Sequence, residues 1–180
     1  MNRTIQYVIT ILFTASFLVS CNDSGSLQHY FVDNQESKNF ITQDIPITML
    51  NIDESKLSSE QKAAYNSVKR LNFLGFKGNE TNAETLKLEL AKVKTILKDE
   101  KYNDLLEFSD KGNKIVVKYI GTDDVADEVI VFGSSKELGF GIVRLLGDDM
   151  SPDKMVTLVS VLQSTNVDEG KVKDIMNFFK

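Results

Sequence analysis

The chain has 180 residues but only one cysteine, one histidine and two prolines. A single cysteine rules out an internal disulfide framework, so a stable domain must rely on its apolar core. One histidine without a second thiol cannot build a typical zinc site. Two prolines and ten glycines are too few for a collagen-like or low-complexity chain. With 42% hydrophobic and 26% charged residues, the composition is that of one ordinary globular domain. No apolar run reaches the roughly 18 residues that a spanning helix needs, which excludes a multi-pass membrane protein. A basic cluster is missing as well: 21 bases stand against 26 acids, a net charge of −5, and the bases are scattered. Phosphate backbones need a concentrated basic face, so nucleic acid is not an expected partner.

The first twenty residues have a composition of their own. They hold one base, Arg3, no acid, and an apolar run from Tyr7 to Val19. That length fits a signal-peptide core of about 7 to 15 residues and is too short to span a bilayer. The run ends in Leu18-Val19-Ser20-Cys21, which resembles the lipobox of bacterial lipoproteins. The resemblance implies that the Cys21 thiol accepts a diacylglyceryl group and that a peptidase then cuts before it. Aliphatic Leu18 and Val19 and small Ser20 are the residues such a peptidase reads. Residues 1–20 are thus expected to be removed, 21–26 to form a lipidated polar tether, and 27–180 to make a single domain.

Cleavage removes only Arg3 from the charge count, leaving 20 bases and 26 acids, a net charge of −6. Such a body gains nothing from anionic lipid. Acyl chains, at about 0.8 kcal/mol per buried methylene, hold it far better. The tether Asn22-Asp23-Ser24-Gly25-Ser26 lacks the acidic run associated with surface export of some lipoproteins. The expected location is therefore the bacterial cell envelope, at the outer membrane and facing the periplasm.

Periodicity lays out the domain. Leu27, Tyr30 and Phe31 stand at helical spacing and predict a short helix to about Glu36. Phe40 to Leu50 alternates as a strand, and Pro46 inside it requires an edge position or a bulge, because proline cannot donate to a ladder. Ser58 with Gln61, and Thr81 with Glu84, make capping boxes that open two helices. The first runs to about Arg70. The second carries Leu86, Leu90, Val93 and Leu97. Between them Leu71 to Lys77 predicts a strand. From Tyr102 to Asp148 four strands, 105–109, 114–120, 128–132 and 138–146, alternate with short polar turns and predict an antiparallel meander. Ser151-Pro152 starts a helix bearing Met155, Leu158, Val159 and Leu162, and a last helix is expected to carry Val172, Ile175, Met176 and Phe179. The expected architecture is α+β, a mainly antiparallel sheet with helices packed on one face.

This order of elements resembles the domain-of-unknown-function family 4252, small lipoproteins found in Bacteroidota. The matching features are the lipobox, a short aromatic helix, an extended strand, a helix, the Leu71-Asn72-Phe73-Leu74-Gly75-Phe76 strand, a long helix and the meander. The resemblance implies an envelope accessory protein, and some members are encoded near extracytoplasmic sigma factors. It transfers no functional residue, since the family carries no established activity.

Candidate chemistry is sparse. His29 sits beside Tyr30 and Phe31 near the tether, where a solvated or packing role is expected. No Gly-x-Ser-x-Gly turn accompanies it. Asp123, Asp124, Asp127 and Glu128 in one loop, and Asp148-Asp149 before the Pro152 helix, resemble no EF-hand and read as a solvated turn and a favourable charge at a helix start. Gly139 and Gly141 alternate in a strand and suit close approach of a helix over the sheet face. Phe73, Phe76, Phe132 and Phe140 either fill the core or line a ligand groove; the core is expected. The expected function is a non-enzymatic envelope lipoprotein without cofactor, held by N-terminal acyl chains, monomeric or weakly dimeric, that acts as a binding or accessory module, contacting another envelope component such as a protein or serving a regulatory or structural role. A small-ligand or lipid-binding module using a bare sheet face is the alternative, and a hydrolase-type enzyme comes third.

Overall fold

The structure is a computed structural model and describes residues 25–164 apart from 111, 136 and 137. The expected signal peptide, lipobox and Cys21, and the expected last helix, lie outside the described residues. Six strands form one sheet: β1 (Phe40–Pro46), β2 (Val68–Lys77), β3 (Asn103–Asp110), β4 (Asn113–Gly121), β5 (Ala126–Ser135) and β6 (Gly139–Met150). Their spatial order is β1-β2-β6-β5-β4-β3 and every neighbouring pair is antiparallel. The helices are α1 (Leu27–Asn34), α2 (Ser59–Ser67), α3 (Ala83–Ile96) and α4 (Pro152–Ser164). The α+β class and the antiparallel sheet are as the sequence pattern led us to expect.

The helices are distributed more widely than that pattern indicated. Buried Leu74, Phe76, Ile130, Phe132, Phe140 and Ile142 face α1 and α3. Their alternate neighbours Leu71, Val129, Val143 and Leu145 face α2 and α4. Successive residues of a strand point to opposite faces, so apolar residues at consecutive positions, as in Phe140-Gly141-Ile142-Val143 and in Leu145-Leu146 on either side of Arg144, need cover on both sides. Helices accordingly flank both faces of the sheet.

Local signals explain most boundaries. The Ser26 hydroxyl accepts the His29 amide at 3.1 Å and starts α1. The capping box at α2 is complete: Ser58 Oγ accepts the Gln61 amide at 3.2 Å, and Gln61 Oε1 accepts the Ser58 amide at 2.9 Å. α2 stops at Ser67, because Val68 is already extended and belongs to β2; the β-branched and aromatic run that follows favours strand over three more helical residues. The second expected capping box does not form. Asn82 is the residue before α3, and Thr81 instead donates its hydroxyl to Asn79 Oδ1 at 2.6 Å. Asn79 takes the two amides of Thr81 and Asn82 as well, a turn that competes directly with the Thr81 cap. β1 is an edge strand that ends at Pro46, after which Ile47–Leu50 turns as a 3-10 helix rather than extending the strand.

Candidate functional site

The residues singled out for chemistry are not brought together. His29 is exposed on α1, with Nε2 3.7 Å from Asp33 Oδ1 and both side chains more than half exposed. Tyr119 donates its hydroxyl to Asp123 at 2.6 Å, while Asp124 and Asp127 face solvent. Asp149 adopts a left-handed backbone with φ 55° and accepts Lys154 Nζ one helical turn on. Among the described residues no group of three or more histidine, cysteine, aspartate or glutamate side chains is placed to hold a metal ion. Phe73, Phe76, Phe132 and Phe140 are all 2% exposed or less, so they are core residues. Gly139 serves a close approach, though to a strand: with φ +108°, a Cβ there would collide with the Phe76 carbonyl oxygen.

Glu128 alone leaves the acidic loop and turns inward. Its carboxylate accepts Arg144 Nε at 2.6 Å and Nη2 at 2.8 Å, a two-bond fork between adjacent strands β5 and β6. The guanidinium also lies 5.3 Å from the centre of the Phe31 ring, which α1 lowers onto it. Beside this pair a cavity of about 300 Å³ separates α1 from β1 and β2, lined by Gln28, Gln35, Thr42, Asp44 and Asn72 with Arg144 at its base. Because Glu128 neutralises Arg144, the cavity presents amides, a hydroxyl, the Asp44 carboxylate and the apolar Phe31, Val32 and Phe73 rather than a net positive charge. No local pattern points to this pairing: Arg144 is one base among 21, and Glu128 one acid in a group of four.

The other end of the sheet carries the largest apolar exposure near an edge. Leu106 and Phe108 of β3 are 59% and 57% exposed, and Ile115 of β4 is 43% exposed. Phe108 stands directly opposite Ile115, and Leu106 opposite half-buried Val117, so all of them share the face of α2 and α4. Ile115 in turn pairs with Gly133, above which a Cβ would meet nothing within 4 Å. An apolar shelf therefore opens into a shallow recess. On the opposite face the same hairpin is polar, with Asp104 to Lys118 and Glu107 to Lys114 ion pairs at 2.7 Å each. β3 is also a terminal strand of the sheet, so among the described residues one row of its backbone groups is unpaired with any strand. A polar-rimmed apolar patch on an edge hairpin is the surface type that contacts another protein.

A family model described as a domain of unknown function (DUF4252) matches residues 30–158. The chain belongs to that family. The match runs from within α1 to within α4 and so contains all six strands, the Arg144–Glu128 fork and the Leu106–Phe108–Ile115 patch. No curated protein and no solved structure matches the chain. Among the described residues no helix is long and apolar enough to cross a membrane.

Proposed function

We propose that this DUF4252 chain is a lipid-anchored lipoprotein of the bacterial cell envelope, of Bacteroidota type, whose domain binds another envelope protein and performs no catalysis. The lipobox Leu18-Val19-Ser20-Cys21 supports the anchor. The observation that carries the binding role is the exposed Leu106, Phe108 and Ile115 cluster on the edge hairpin. Burying a large apolar side chain on association contributes about 1.5–3 kcal/mol, so three of them supply an anchor for a partner. The ligand-binding alternative wants an open apolar groove, and the phenylalanines suited to line one expose 2% of their surface or less. A catalytic reading would need His29 beside a buried acid, and it sits on the surface beside an exposed one.

The test is capture from native membranes with a tagged full-length protein, followed by the same capture with Phe108→Glu. A protein retained by the wild type and lost by the variant, with both chains equally folded and equally membrane-bound, supports the reading. A captured set unchanged by Phe108→Glu and by Leu106→Glu overturns it. Cys21→Ser tests the anchor separately: the protein is expected to leave the detergent phase on partition, and retention equal to wild type refutes lipid attachment.

A further inference from the structure

On the sheet face beneath α1, neighbouring cross-strand rows are apolar, with Leu74 beside Ile142 and Phe76 beside Phe140. One row is polar: Asp44 of β1 pairs with Asn72 of β2, and Asn72 with Arg144 of β6. Asn72 Nδ2 donates to Asp44 Oδ1 at 3.0 Å, and Glu128 holds Arg144. Stability alone gives little reason for such a row, because well-packed apolar side chains of similar volume often replace a buried ion pair without loss. What the row does supply is spare hydrogen-bonding capacity. A guanidinium has five N–H donors, and the fork with Glu128 uses two of them. Arg144 Nη1 has no acceptor among the described residues, although the side chain is only 8% exposed. No buried side-chain nitrogen or oxygen among those residues lacks a partner, so Nη1 borders open space. The open space beside Arg144 is the cavity of about 300 Å³ under α1.

The helix supplies the facing wall. Gln28, Phe31, Val32 and Gln35 recur at the three- and four-residue spacing of one helix face, and all four line the cavity. Gln35 follows α1 with its backbone still helical. Val32, 56% exposed, stands between the two glutamines. Charge narrows the ligand class. Glu128 neutralises Arg144, and Arg70 Nη1 lies 3.4 Å from Asp44 Oδ2, so neither an anion nor a cation meets an uncompensated opposite charge. An apolar ligand would strip water from these polar groups without replacing its hydrogen bonds. The volume is at the low end of the range usual for ligand sites, about 300–1,000 Å³, and admits one ring rather than a chain. We propose that this cavity binds one neutral sugar ring. Arg144 Nη1 donates to its hydroxyl oxygens, Asp44 and Asn72 Oδ1 accept its hydroxyl protons, the Gln28 and Gln35 amides meet its outer hydroxyls, and Val32 packs against its C–H groups. The site lies toward the β1 edge of the sheet, whereas the Leu106–Phe108–Ile115 hairpin forms the opposite edge. The two readings therefore stand or fall separately.

Saturation-transfer difference NMR on the full-length protein, held in a detergent without a sugar headgroup, tests it. Glucose, galactose, mannose and N-acetylglucosamine are offered in turn at tens of millimolar, above the roughly millimolar affinity that so small a ligand reaches. At least one is expected to take up saturation at its ring protons. Asn72→Leu and Gln35→Leu are each expected to weaken that sugar about fivefold, the loss of one hydrogen bond. A loss in either variant that keeps the wild-type urea midpoint supports the site, and Gln35 is exposed, so its replacement spares the fold. Phe108→Glu is expected to leave the affinity unchanged. Glucuronate, a ring of the same size carrying a carboxylate, is expected to bind several-fold more weakly than the best of the four. Absence of saturation transfer to all four sugars overturns the proposal. So does an affinity that neither folded variant alters, an equal loss from Phe108→Glu, or glucuronate binding as tightly as the best neutral sugar.

Discussion

Arg144 and Glu128 form a closed fork, two hydrogen bonds of 2.6 and 2.8 Å between adjacent strands, with side chains only 8% and 11% exposed. Phe31 of α1 caps the guanidinium. The pair thereby ties the first helix to the centre of the sheet. Two buried charges that neutralise each other are tolerated, whereas one left alone is not.

The first prediction follows from that asymmetry. Arg144→Met leaves Glu128 buried and unpaired and is expected to cost about 3–5 kcal/mol, as is Glu128→Leu. Replacing both removes the charges together and is expected to cost clearly less than the sum of the two. Urea midpoints of the two single variants and the double variant measure this. Strictly additive losses would show that the pair is not energetically coupled.

The four tyrosines after residue 20, Tyr30, Tyr65, Tyr102 and Tyr119, give a pH prediction. All four phenols are held above their ordinary value. Burial is the leading cause for Tyr30, Tyr65 and Tyr102, and the hydrogen bond to Asp123 is the leading cause for Tyr119. For Tyr30 the bond to Glu89 at 2.8 Å adds to burial. A raised pKa in the fold means that the unfolded chain gives up its phenolic protons first. The stability these groups contribute is therefore complete below about pH 10 and is lost as pH rises beyond it. Phenolate absorbance should develop at higher pH in the folded chain than in urea, and the urea midpoint should fall as the solution becomes more alkaline. Coincident titration curves for folded and unfolded chain would contradict this.

The caps separate two superficially equal motifs. Ser58 closes a complete capping box, so Ser58→Ala is expected to cost about 1 kcal/mol. Thr81 caps nothing; its hydroxyl makes one exposed bond to Asn79, so Thr81→Ala is expected to cost only a few tenths. Asn79 accepts three bonds, and Asn79→Ala is expected to match Ser58→Ala. Denaturation midpoints in the order wild type, Thr81→Ala, then the other two test the assignment. A Thr81→Ala loss equal to that of Ser58→Ala would restore the Thr81 cap.

Much of this architecture was legible in the chain because its signals are local. Alternation marked the meander, Pro46 marked an edge strand, and spacings of three and four marked α3. What escaped is set by contacts between distant residues. The sides on which helices pack depend on chain crossings that periodicity does not encode. Thr81-x-x-Glu84 has the same spacing as Ser58-x-x-Gln61, and only the competing Asn79 side chain decides against it. The exposure of Phe108 was hidden for a similar reason. Leu106 and Phe108 alternate as residues of a half-buried strand do, and β3 proves to be an edge strand among the described residues.

Two glycines near the β5–β6 turn are expected to respond to substitution in opposite directions. Gly139 holds φ +108° with the Phe76 carbonyl oxygen where a Cβ would stand, so Gly139→Ala adds both backbone strain and a clash with another strand's main chain. A loss of about 1–3 kcal/mol or more is expected. Gly133 has ordinary strand geometry and open space where a Cβ would project, beside exposed Ile115. Gly133→Val removes conformational freedom from the unfolded chain and places a β-branched side chain against Ile115, so a gain of about 0.5–1 kcal/mol is expected. Thermal midpoints of the two variants should therefore move apart from wild type in opposite senses. A destabilising Gly133→Val would mean that the recess beside Phe108 is filled in the folded chain, and the shelf proposed for a partner would then be closed.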